Sequence, residues 1–292
     1  MQNTLSGYTC LLFLVMLTAG CSDKNGPQPA TPNVAIYQDC VPELDELTFD
    51  IVTWNIQQYA SSDFQVEQVA DIILTMEADL IALQEITSIT FFEELIADLP
   101  GWQGVFSATG DLNLAYLFKT SEVSVDGITQ LFLGENQPFP RAAALTRATH
   151  VNGTETSLIN IHLKCCGGEE NIARREEASQ MLKTYVDTNL AEEEVIILGD
   201  FNDIVYSAMG AAITFQNFLD DPNNYAFADY DIAMNLALWS YPDWPSHIDH
   251  ILVTNELFDN VEAIETLVLD NCQGRYLSEI SDHRPLMMSL SK

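Results

Sequence analysis

The chain has 292 residues and carries 43 acidic against 11 basic side chains, which gives a formal net charge of −32. A field of this sign repels polyanions, and duplex DNA binding draws most of its affinity from cationic contacts with phosphates. The composition therefore argues against tight binding of long duplex DNA at low salt.

The beginning of the chain predicts an export signal. Residues 1–20 contain no charged side chain, and a continuous apolar run from Leu11 to Leu17 leads into Ala19-Gly20-Cys21. Such a run is too short to span a membrane and is typical of a secretory signal peptide. The Ala-Gly-Cys ending resembles that of a bacterial lipoprotein, which implies lipidation of Cys21 and a location in the cell envelope, at the outer membrane or in the periplasm. Residues 21–45 contain several prolines and are predicted to form an extended tether.

Residues 46–292 are long enough for one large domain with a sizeable core, and they show no internal repeat. Apolar spacing predicts helices at Asp63 to Met76, Ser88 to Leu99 and Asn171 to Asn189. Strands are predicted near residues 50–55, 80–85, 103–107, 115–119, 124–133, 142–151, 156–163, 195–198, 248–253 and 286–290. Residues 206–245 are predicted to form short helices and a surface loop. This order of elements favours two packed, mainly antiparallel sheets with helices outside.

Polar side chains follow several of these predicted strands. The buried-type run Val195 to Leu198 is followed by Gly199, Asp200 and Asn202, so that an acid and an amide emerge at the end of the strand. An Asx turn at the strand end explains one such segment equally well. The pattern recurs, which favours a shared site: other segments contribute Asn55, Glu85, His162, Asp249, Asp282 and His283.

These segments resemble, in order, the signatures of the endonuclease/exonuclease/phosphatase superfamily. The matching blocks are Trp54-Asn55-Ile56-Gln57, Leu83-Gln84-Glu85, Asn160-Ile161-His162-Leu163-Lys164, Gly199-Asp200-Phe201-Asn202, Ile248-Asp249-His250 and Ser281-Asp282-His283-Arg284-Pro285. The resemblance spans about residues 48–290. It implies an α/β fold, a four-layer α/β/β/α sandwich of two mainly antiparallel sheets flanked by helices. It also implies a divalent metal and hydrolysis of a phosphate ester.

By this resemblance, Asn55, Glu85 and Asp282 belong to a metal site. Carboxylate and amide oxygens suit Mg²⁺, with Mn²⁺ as the alternative, because both are hard ions. Gln57 stands where some nuclease members carry an acid, so a second metal position has less support.

The resemblance also assigns the reacting groups. His283 would pair with Asp249, which would fix its tautomer and raise its basicity. Asp200 resembles the residue that positions or activates the attacking water, and Asn202 resembles a donor to the phosphoryl oxygens. Three other histidines are interpreted as packing or surface residues: His150, His247 and His250. Strand alternation directs the last of them to the face opposite Asp249.

Further residues are candidates for binding the phosphate. His162 would donate to the phosphate or to the leaving oxygen, although the segment 113–118 offers no carboxylate to partner it. Lys164 lies two residues after it, and Arg141 resembles a phosphate contact in relatives. Arg284 fits an ion pair at the end of the sheet as well as a substrate contact.

Cysteine usage is compatible with export. Cys40, Cys165, Cys166 and Cys272 remain after the signal and Cys21, an even number for an oxidising compartment. They allow three pairings. The adjacent Cys165 and Cys166 form either a vicinal bridge or bridges to separate partners. A soft-metal site is the competing interpretation, without supporting Cys and His spacing.

The sequence thus predicts an exported, lipid-anchored, Mg²⁺-dependent phosphoesterase, monomeric and favouring small or lipid-type phosphoesters. An envelope nuclease acting on DNA or RNA stays open within the same superfamily. An inactive binding module of the same fold is the alternative from another class. The complete set of predicted metal and catalytic residues argues against that alternative, because a module without catalysis has no need of them.

Overall fold

Two β-sheets lie at the centre of the fold, and helices cover their outer faces. The computed structural model describes residues 34–108 and 110–292. The predicted signal peptide, the first part of the tether and Cys21 lie outside the described residues. None of the helices described has both the length and the apolar character needed to cross a membrane.

The described residues contain strands of three to eleven residues. In chain order they are β1 (Phe49–Tyr59), β2 (Leu80–Ile86), β3 (Trp102–Ser107), β4 (Asn113–Lys119), β5 (Val123–Val125), β6 (Thr129–Leu131), β7 (Ala143–His150), β8 (Glu155–His162), β9 (Val195–Asp200), β10 (Tyr225–Phe227), β11 (Asp249–Thr254), β12 (Val261–Thr266) and β13 (Leu286–Leu290). One sheet has the order β12-β13-β1-β2-β4-β3, and the other has the order β10-β11-β9-β8-β7-β5, with β6 also paired to β7. Only β1–β2 and β8–β9 are parallel among these pairs, so both sheets are mainly antiparallel.

Three long helices cover the sheets, and short helices fill the loops. They are α1 (Asp63–Met76), α2 (Ile89–Ala97), α3 (Glu169–Asn189), α4 (Gln216–Leu219), α5 (Tyr230–Ala233) and α6 (Tyr276–Glu279). Single 3₁₀ turns occur at Val34–Ile36, Gln38–Cys40, Leu236–Leu238, Asn255–Leu257 and Leu269–Asn271. The helix α1 has the predicted bounds, and its cap is Ser62, whose side chain accepts a hydrogen bond from the backbone of Gln65.

Three apolar cores give the four predicted layers. The middle core joins the facing sides of the two sheets through residues such as Ile51, Leu80 and Leu198. On the outer faces, α1 and α2 pack on the first sheet and α3 packs on the second. Both faces of β1, β2 and β9 are buried along most of each strand, which explains the continuous apolar runs Leu80 to Leu83 and Val195 to Leu198. The predicted α/β/β/α architecture is confirmed.

Two of the predicted segments differ in kind from the structure. The single strand predicted over 124–133 is two short strands, β5 and β6, because the turn-forming pair Asp126-Gly127 interrupts it. In the segment predicted as a tether, Tyr37 is fully buried and donates a 2.6 Å hydrogen bond to Gln68. Cys40 in the same segment forms a disulfide with Cys272. The last part of that segment therefore packs on the domain.

Candidate active site

The parallel strand pairs bring predicted site residues to one edge of the sandwich. Asn55 and Glu85 lie near the carboxyl ends of β1 and β2, and His162 and Asp200 are register partners at the ends of β8 and β9. Asp249 begins β11, directly opposite Asp200. Since the carboxyl ends of parallel strands meet at the same edge, four of these positions follow from strand direction alone.

A glycine allows the close approach of β8 and β9. Gly199 has φ +139°, and a Cβ at this position would lie 2.0 Å from the carbonyl oxygen of Ile161. A larger residue would push the two strands apart. The Gly-Asp pair of the motif therefore sets the distance between Asp200 and His162.

Left-handed backbone conformations are concentrated at this edge. Gln57, Gln58, Glu85 and Asn202 have φ of 42°, 50°, 66° and 56°. Such values are uncommon in residues other than glycine and persist where the surroundings hold them. Here the Glu85 carboxylate accepts from the Gln58 backbone at 3.0 Å, and the Asp200 carboxylate accepts from the Asn202 backbone at 2.9 Å. The site residues thus bend their own strand ends.

His283 and Asp249 form a buried pair. The distance from His283 Nδ1 to Asp249 Oδ2 is 2.7 Å, and His283 Nε2 lies 4.0 Å from Asp200 Oδ2. Burial alone would lower the pKa of His283, but the charge and hydrogen bond of Asp249 outweigh it and raise this pKa to about 10. His283 is therefore an imidazolium at neutral pH, with its Nε2 proton on the side of Asp200 and Asp282.

Asp200 lies at the centre of the buried polar groups. Its Oδ2 accepts a 3.0 Å hydrogen bond from Asn55 Nδ2 and lies 3.5 Å from His162 Nε2. Burial, and then the charge of Asp249, raise the pKa of Asp200 to about 7. A carboxyl group with this pKa can both bind and release a proton near neutral pH.

His162 is neutral and incompletely bonded. Burial, followed by the charges of Arg141 and His283, holds its pKa well below the usual value. Its Nδ1 is buried and has no hydrogen-bond partner among the described residues. The carboxylates nearest to this histidine come from other strands: its Nε2 lies 3.5 Å from Asp200 Oδ2 and 3.8 Å from Glu85 Oε1.

The three candidate cations behave differently. Burial lowers the pKa of Arg141, and the charges of Glu85 and Asp200 partly oppose this effect. Lys164 Nζ donates to the carbonyl oxygen and the sulfur of Cys165, at 3.2 and 3.4 Å. Arg284 makes two 2.7 Å hydrogen bonds to the Asp270 carboxylate, which is the ion pair considered for it.

A cavity of about 710 Å³ opens over this edge. Most of the predicted catalytic and metal residues line it: Glu85, His162, Asp200, Asn202, Asp282 and His283. Its rim includes Trp244, which is 77% exposed, and Tyr241, whose ring centre lies 4.8 Å from that of His283. Among the described residues, Arg141 and Lys164 do not belong to this lining.

The donor set fits a hard cation. Burial raises the pKa of Asp282, and the like charge of Glu85 adds to the effect while His283 opposes it. Asn55 Oδ1 accepts from the Gln57 backbone at 3.0 Å, and a carbonyl oxygen has a second lone pair. Two neighbouring carboxylates and an amide oxygen are the ligands that Mg²⁺ prefers. Asn55, Glu85 and Asp282 would hold such an ion.

Sequence reasoning missed a second acid–histidine cluster. Asp229 Oδ2 lies 2.9 Å from His247 Nε2 and 2.6 Å from His250 Nδ1. All three residues are buried, and His250 points away from Asp249 as strand alternation predicted. No motif or spacing signals Asp229, which lies in the stretch 206–245 that is predicted to form short helices and a surface loop.

Sequence reasoning also missed the polar residues that hold the site backbone. Ser281 Oγ donates to the carbonyl oxygen of Asn55 at 2.6 Å and accepts from the backbone of His283 at 3.0 Å. Ser240, fully buried, accepts from the backbone of Asp249 at 3.2 Å. Ser281 falls within a motif block and could have been singled out, whereas Ser240 carries no local signal.

The residues of this site fall within a known family pattern. The chain matches the Endonuclease/Exonuclease/phosphatase family over residues 52–283, which includes the whole site. The chain belongs to this family. Its members hydrolyse phosphoester bonds and generally use a divalent metal. A search of curated proteins found no match for the chain.

Solved structures of low sequence identity share the fold. TDP2 from D. rerio, in complex with a single-strand DNA product, has a TM-score of 0.66 at 10% identity, over 84% of this chain and 99% of that chain. The human Nocturnin catalytic domain with bound sulfate has a TM-score of 0.64 at 18% identity, over 86% and 95%. A mannosyl-6-phosphatase from Bacteroides thetaiotaomicron has a TM-score of 0.61 at 15% identity, over 84% and 100%.

Proposed function

We propose that this protein is an Mg²⁺-dependent phosphoesterase that hydrolyses small or lipid-type phosphoesters by attack of an activated water. One observation carries the proposal. The same cavity is lined by the imidazolium of His283, the neutral imidazole of His162 and the carboxyl groups of Glu85, Asp200 and Asp282. A phosphoester resists attack because its charge repels nucleophiles, so hydrolysis needs positive charge on its oxygens and a base for water. The cavity contains residues for both tasks.

His283, paired with Asp249, supplies a hydrogen-bond donor in a fixed position. Asp249 holds Nδ1 and so directs the other ring proton, on Nε2, toward the substrate side. A donor already in place stabilises the charge that develops on a phosphoryl oxygen without reorganising. His162, neutral and 3.5 Å from Asp200, is a second donor.

Asp200 is the residue best suited to accept the proton of the attacking water. The pKa of Asp200 is raised to about 7, and a general base works best when its pKa lies near the pH of the reaction. Asn202 follows it in a left-handed conformation, and its amide donates 3.2 Å to the carbonyl oxygen of Leu163. An amide group has two N–H donors, so the second is directed to a phosphoryl oxygen. Bound Mg²⁺, held by Asn55, Glu85 and Asp282, would neutralise charge on the phosphoryl oxygens.

Charge and shape favour a short substrate with an uncharged body. The net charge of −32 opposes long polyanions, whereas one phosphate group needs only the groups in the cavity. Trp244 and Tyr241 at the rim suit apolar or ring contacts with a lipid, a sugar or a base. A monomer suffices for this arrangement, since one chain provides every residue named.

The test is a side-by-side assay of purified protein on sphingomyelin, phosphatidylinositol phosphates, nucleotides, single-stranded DNA and plasmid DNA with Mg²⁺. We expect EDTA and Glu85→Ala each to abolish hydrolysis, and Glu176→Ala, at an exposed acid on α3, to leave it unchanged. Activity that survives chelation would remove the proposed chemistry.

Salt dependence separates the nuclease alternative. Screening weakens repulsion between the acidic protein and a polyanion, so activity on DNA should rise with salt. Efficient plasmid nicking at low salt that fades as salt increases would instead favour an envelope nuclease. The DNA substrates are included in the assay because TDP2, a protein of the same fold, has been solved in complex with a DNA product.

We also propose export and a lipid anchor at Cys21. The disulfide between Cys40 and Cys272 supports export, because such bonds persist in oxidising compartments. Mass spectrometry of the membrane fraction should find an acylated N-terminal cysteine, and Cys21→Ser should release the domain. A mature chain that starts elsewhere and stays soluble would contradict the anchor.

A further inference from the structure

Two free cysteines lie at the edge of the cavity. Cys165 and Cys166 are both exposed, and both belong to the cavity lining. Their sulfur atoms are 2.9 Å apart. Among the described residues, the other two cysteines, Cys40 and Cys272, are already joined in a disulfide. Oxidising conditions that maintain the Cys40–Cys272 disulfide also act on the thiols of Cys165 and Cys166, because both of these thiols are exposed.

The two thiols are electrostatically unequal. Cys166 donates its S–H to the sulfur of Cys165, and Lys164 Nζ lies 3.4 Å from the same sulfur. Burial alone would raise the pKa of Cys165, but these two donors and the charge of Lys164 outweigh it and lower the pKa. The hydrogen bond to Cys165, and then burial, raise the pKa of Cys166. Cys165 is therefore the attacking thiolate.

The turn that carries these cysteines is tied to the catalytic residues. The guanidinium of Arg175, only 2% exposed, donates to the carbonyl oxygens of Lys164 and Cys166 at 2.8 and 3.0 Å. It also donates to the Asp203 carboxylate at 3.0 and 2.7 Å. Asp203 follows Asn202 directly. One buried side chain thus connects the cysteine turn with the Asp200–Asn202 turn.

We propose that Cys165 and Cys166 are a redox modification site at the cavity edge, at which a small-molecule disulfide closes a vicinal disulfide and increases substrate affinity. The Cys165 thiolate attacks one sulfur of the oxidant and expels a thiolate. Cys166 then attacks the Cys165 sulfur and expels the second thiolate. The protein loses two protons and two electrons, and the oxidant becomes two thiols. The backbone of Cys166 has a left-handed conformation, with φ 77°, so the chain is already bent at this residue. A bent chain favours the small ring that a bond between adjacent cysteines closes.

The increase in affinity follows from the position of Lys164. In the reduced form its ammonium group is held by the carbonyl oxygen and the sulfur of Cys165, outside the cavity lining. Ring closure makes the Cys165 sulfur part of a disulfide, a weaker acceptor, so the ammonium group loses its sulfur partner and can reach a phosphate beside His162. This part rests on the proposed phosphoesterase function, whereas the modification itself does not.

Peptide mapping tests the modification. The full chain is equilibrated in mixtures of oxidised and reduced glutathione, alkylated with iodoacetamide and digested with trypsin. Cleavage after Lys164 and Arg174 gives the peptide 165–174, which contains both cysteines and no other. We expect it to change from doubly alkylated to unalkylated and lighter by two hydrogen atoms as the oxidised fraction rises. A peptide that stays doubly alkylated, or that carries only glutathione adducts, would overturn the proposal.

Kinetics of the same samples test the consequence. We expect the oxidised form to have a KM for bis-p-nitrophenyl phosphate lower by about 5-fold, the effect of one freed ion-pair partner. Cys166→Ser, which cannot close the ring, should show one KM in all redox mixtures. Lys164→Gln should close the ring but lose the KM difference. Equal KM values in both forms of the parent would overturn the gain in affinity. Loss of all activity with normal ring closure would contradict the proposed function alone.

Discussion

The molecule contains two buried clusters of aspartate and histidine that look alike in composition and differ in hydrogen bonding. Around Asp229, the carboxylate accepts from His247, from His250 and from the backbone of Ile251 at 2.9 Å. His250 Nε2 is bonded to the carbonyl oxygen of Asp203 at 3.0 Å. A carbonyl oxygen only accepts, so His250 carries a proton on each nitrogen, and the cluster is a closed ion pair.

The cluster around Asp249 and His283 is open. Within residues 34–108 and 110–292, Asp249 Oδ1 and His162 Nδ1 are buried and find no hydrogen-bond partner, and His283 lines the cavity. Buried polar atoms are nearly always paired, and those that are not mark unrelieved strain, a missing ligand or a catalytic role. Hydrogen bonding together with position therefore distinguishes the two clusters, since the cavity lining includes His283 and none of the residues around Asp229.

The largest effect that would test this comparison is loss of turnover at the open cluster. We expect His283→Ala and Asp249→Ala each to lower kcat by about 10³-fold, within the range for a general acid or base. The double variant should be little worse than either single one, because groups that act as a unit are not additive. Steady-state kinetics on bis-p-nitrophenyl phosphate measure this, with Asp259→Ala, at an exposed acid, as the control. Losses that multiply would show that the two residues act separately.

The closed cluster should instead affect stability. Asp229→Ala leaves the His250 imidazolium buried without its partner, which costs about 3–5 kcal/mol in the free energy of unfolding. Urea unfolding measures this, and kcat per folded molecule should change far less than in His283→Ala. An Asp229 variant that retains stability and loses turnover would assign this cluster to the reaction and end the distinction.

The sequence predicted the open cluster better than the closed one for a physical reason. Asn55, Glu85, Asp200 and His283 stand in short blocks whose local pattern recurs across a family, so a single sequence suffices to find them. Asp229 follows β10, His247 precedes β11 and His250 lies on β11. The three side chains contact one another only because β10 and β11 pair in the folded protein. Contacts of this kind depend on tertiary packing and leave no periodicity.

The same distinction applies to the fold. The helix α1 was predicted to the residue because apolar spacing and a serine cap are local signals. The interruption between β5 and β6 was overlooked although Asp126-Gly127 signals it. The packing of Tyr37 on Gln68 could not be read from a proline-containing segment, since the partner lies 31 residues away. Local signals were sufficient for elements, and long-range contacts were not predictable.

A smaller effect concerns pH. Burial alone would raise the pKa of Asp229, but the interactions with His250 and His247 outweigh burial and lower this pKa. Burial alone would lower the pKa of His250, but the interaction with Asp229 outweighs burial and raises it. The Asp229 contribution is present above its unfolded pKa and disappears as pH falls through the folded value. The His250 contribution is complete below its unfolded pKa and disappears as pH rises through the folded value. The pair therefore stabilises most between about pH 4 and 6.5.

The measurement is the difference in unfolding free energy between the parent and Asp229→Asn at each pH. Groups that titrate alike in both proteins cancel in this difference. It should be largest near pH 5 and decline above about pH 6.5, by at most about 1.4 kcal/mol per pH unit. A difference that stays constant to pH 9 would mean that His250 is not charged in the folded protein.

The smallest expected effect lies at Ser240, which connects the two clusters. Its backbone N–H donates to His247 Nδ1 at 3.2 Å, and its Oγ accepts from the backbone of Asp249 at 3.2 Å. Its carbonyl oxygen accepts from the backbone of Arg284, next to His283, at 2.7 Å. The contacts of the Ser240 backbone survive in Ser240→Ala, whereas the backbone N–H groups of Asp249 and Ile248 both lose the Oγ as acceptor.

An unsatisfied buried N–H costs about 1–3 kcal/mol, so Ser240→Ala should lower the free energy of unfolding by about that amount. Because Asp249 is less firmly held, kcat should fall by several-fold while KM stays constant, a split that a purely structural serine would not produce. Ser278→Ala, at an exposed serine on α6, is the matched control for both measurements. If Ser240→Ala loses stability with unchanged kcat, the backbone of Asp249 is fixed by β11 alone, and the two clusters are independent units that share only a boundary.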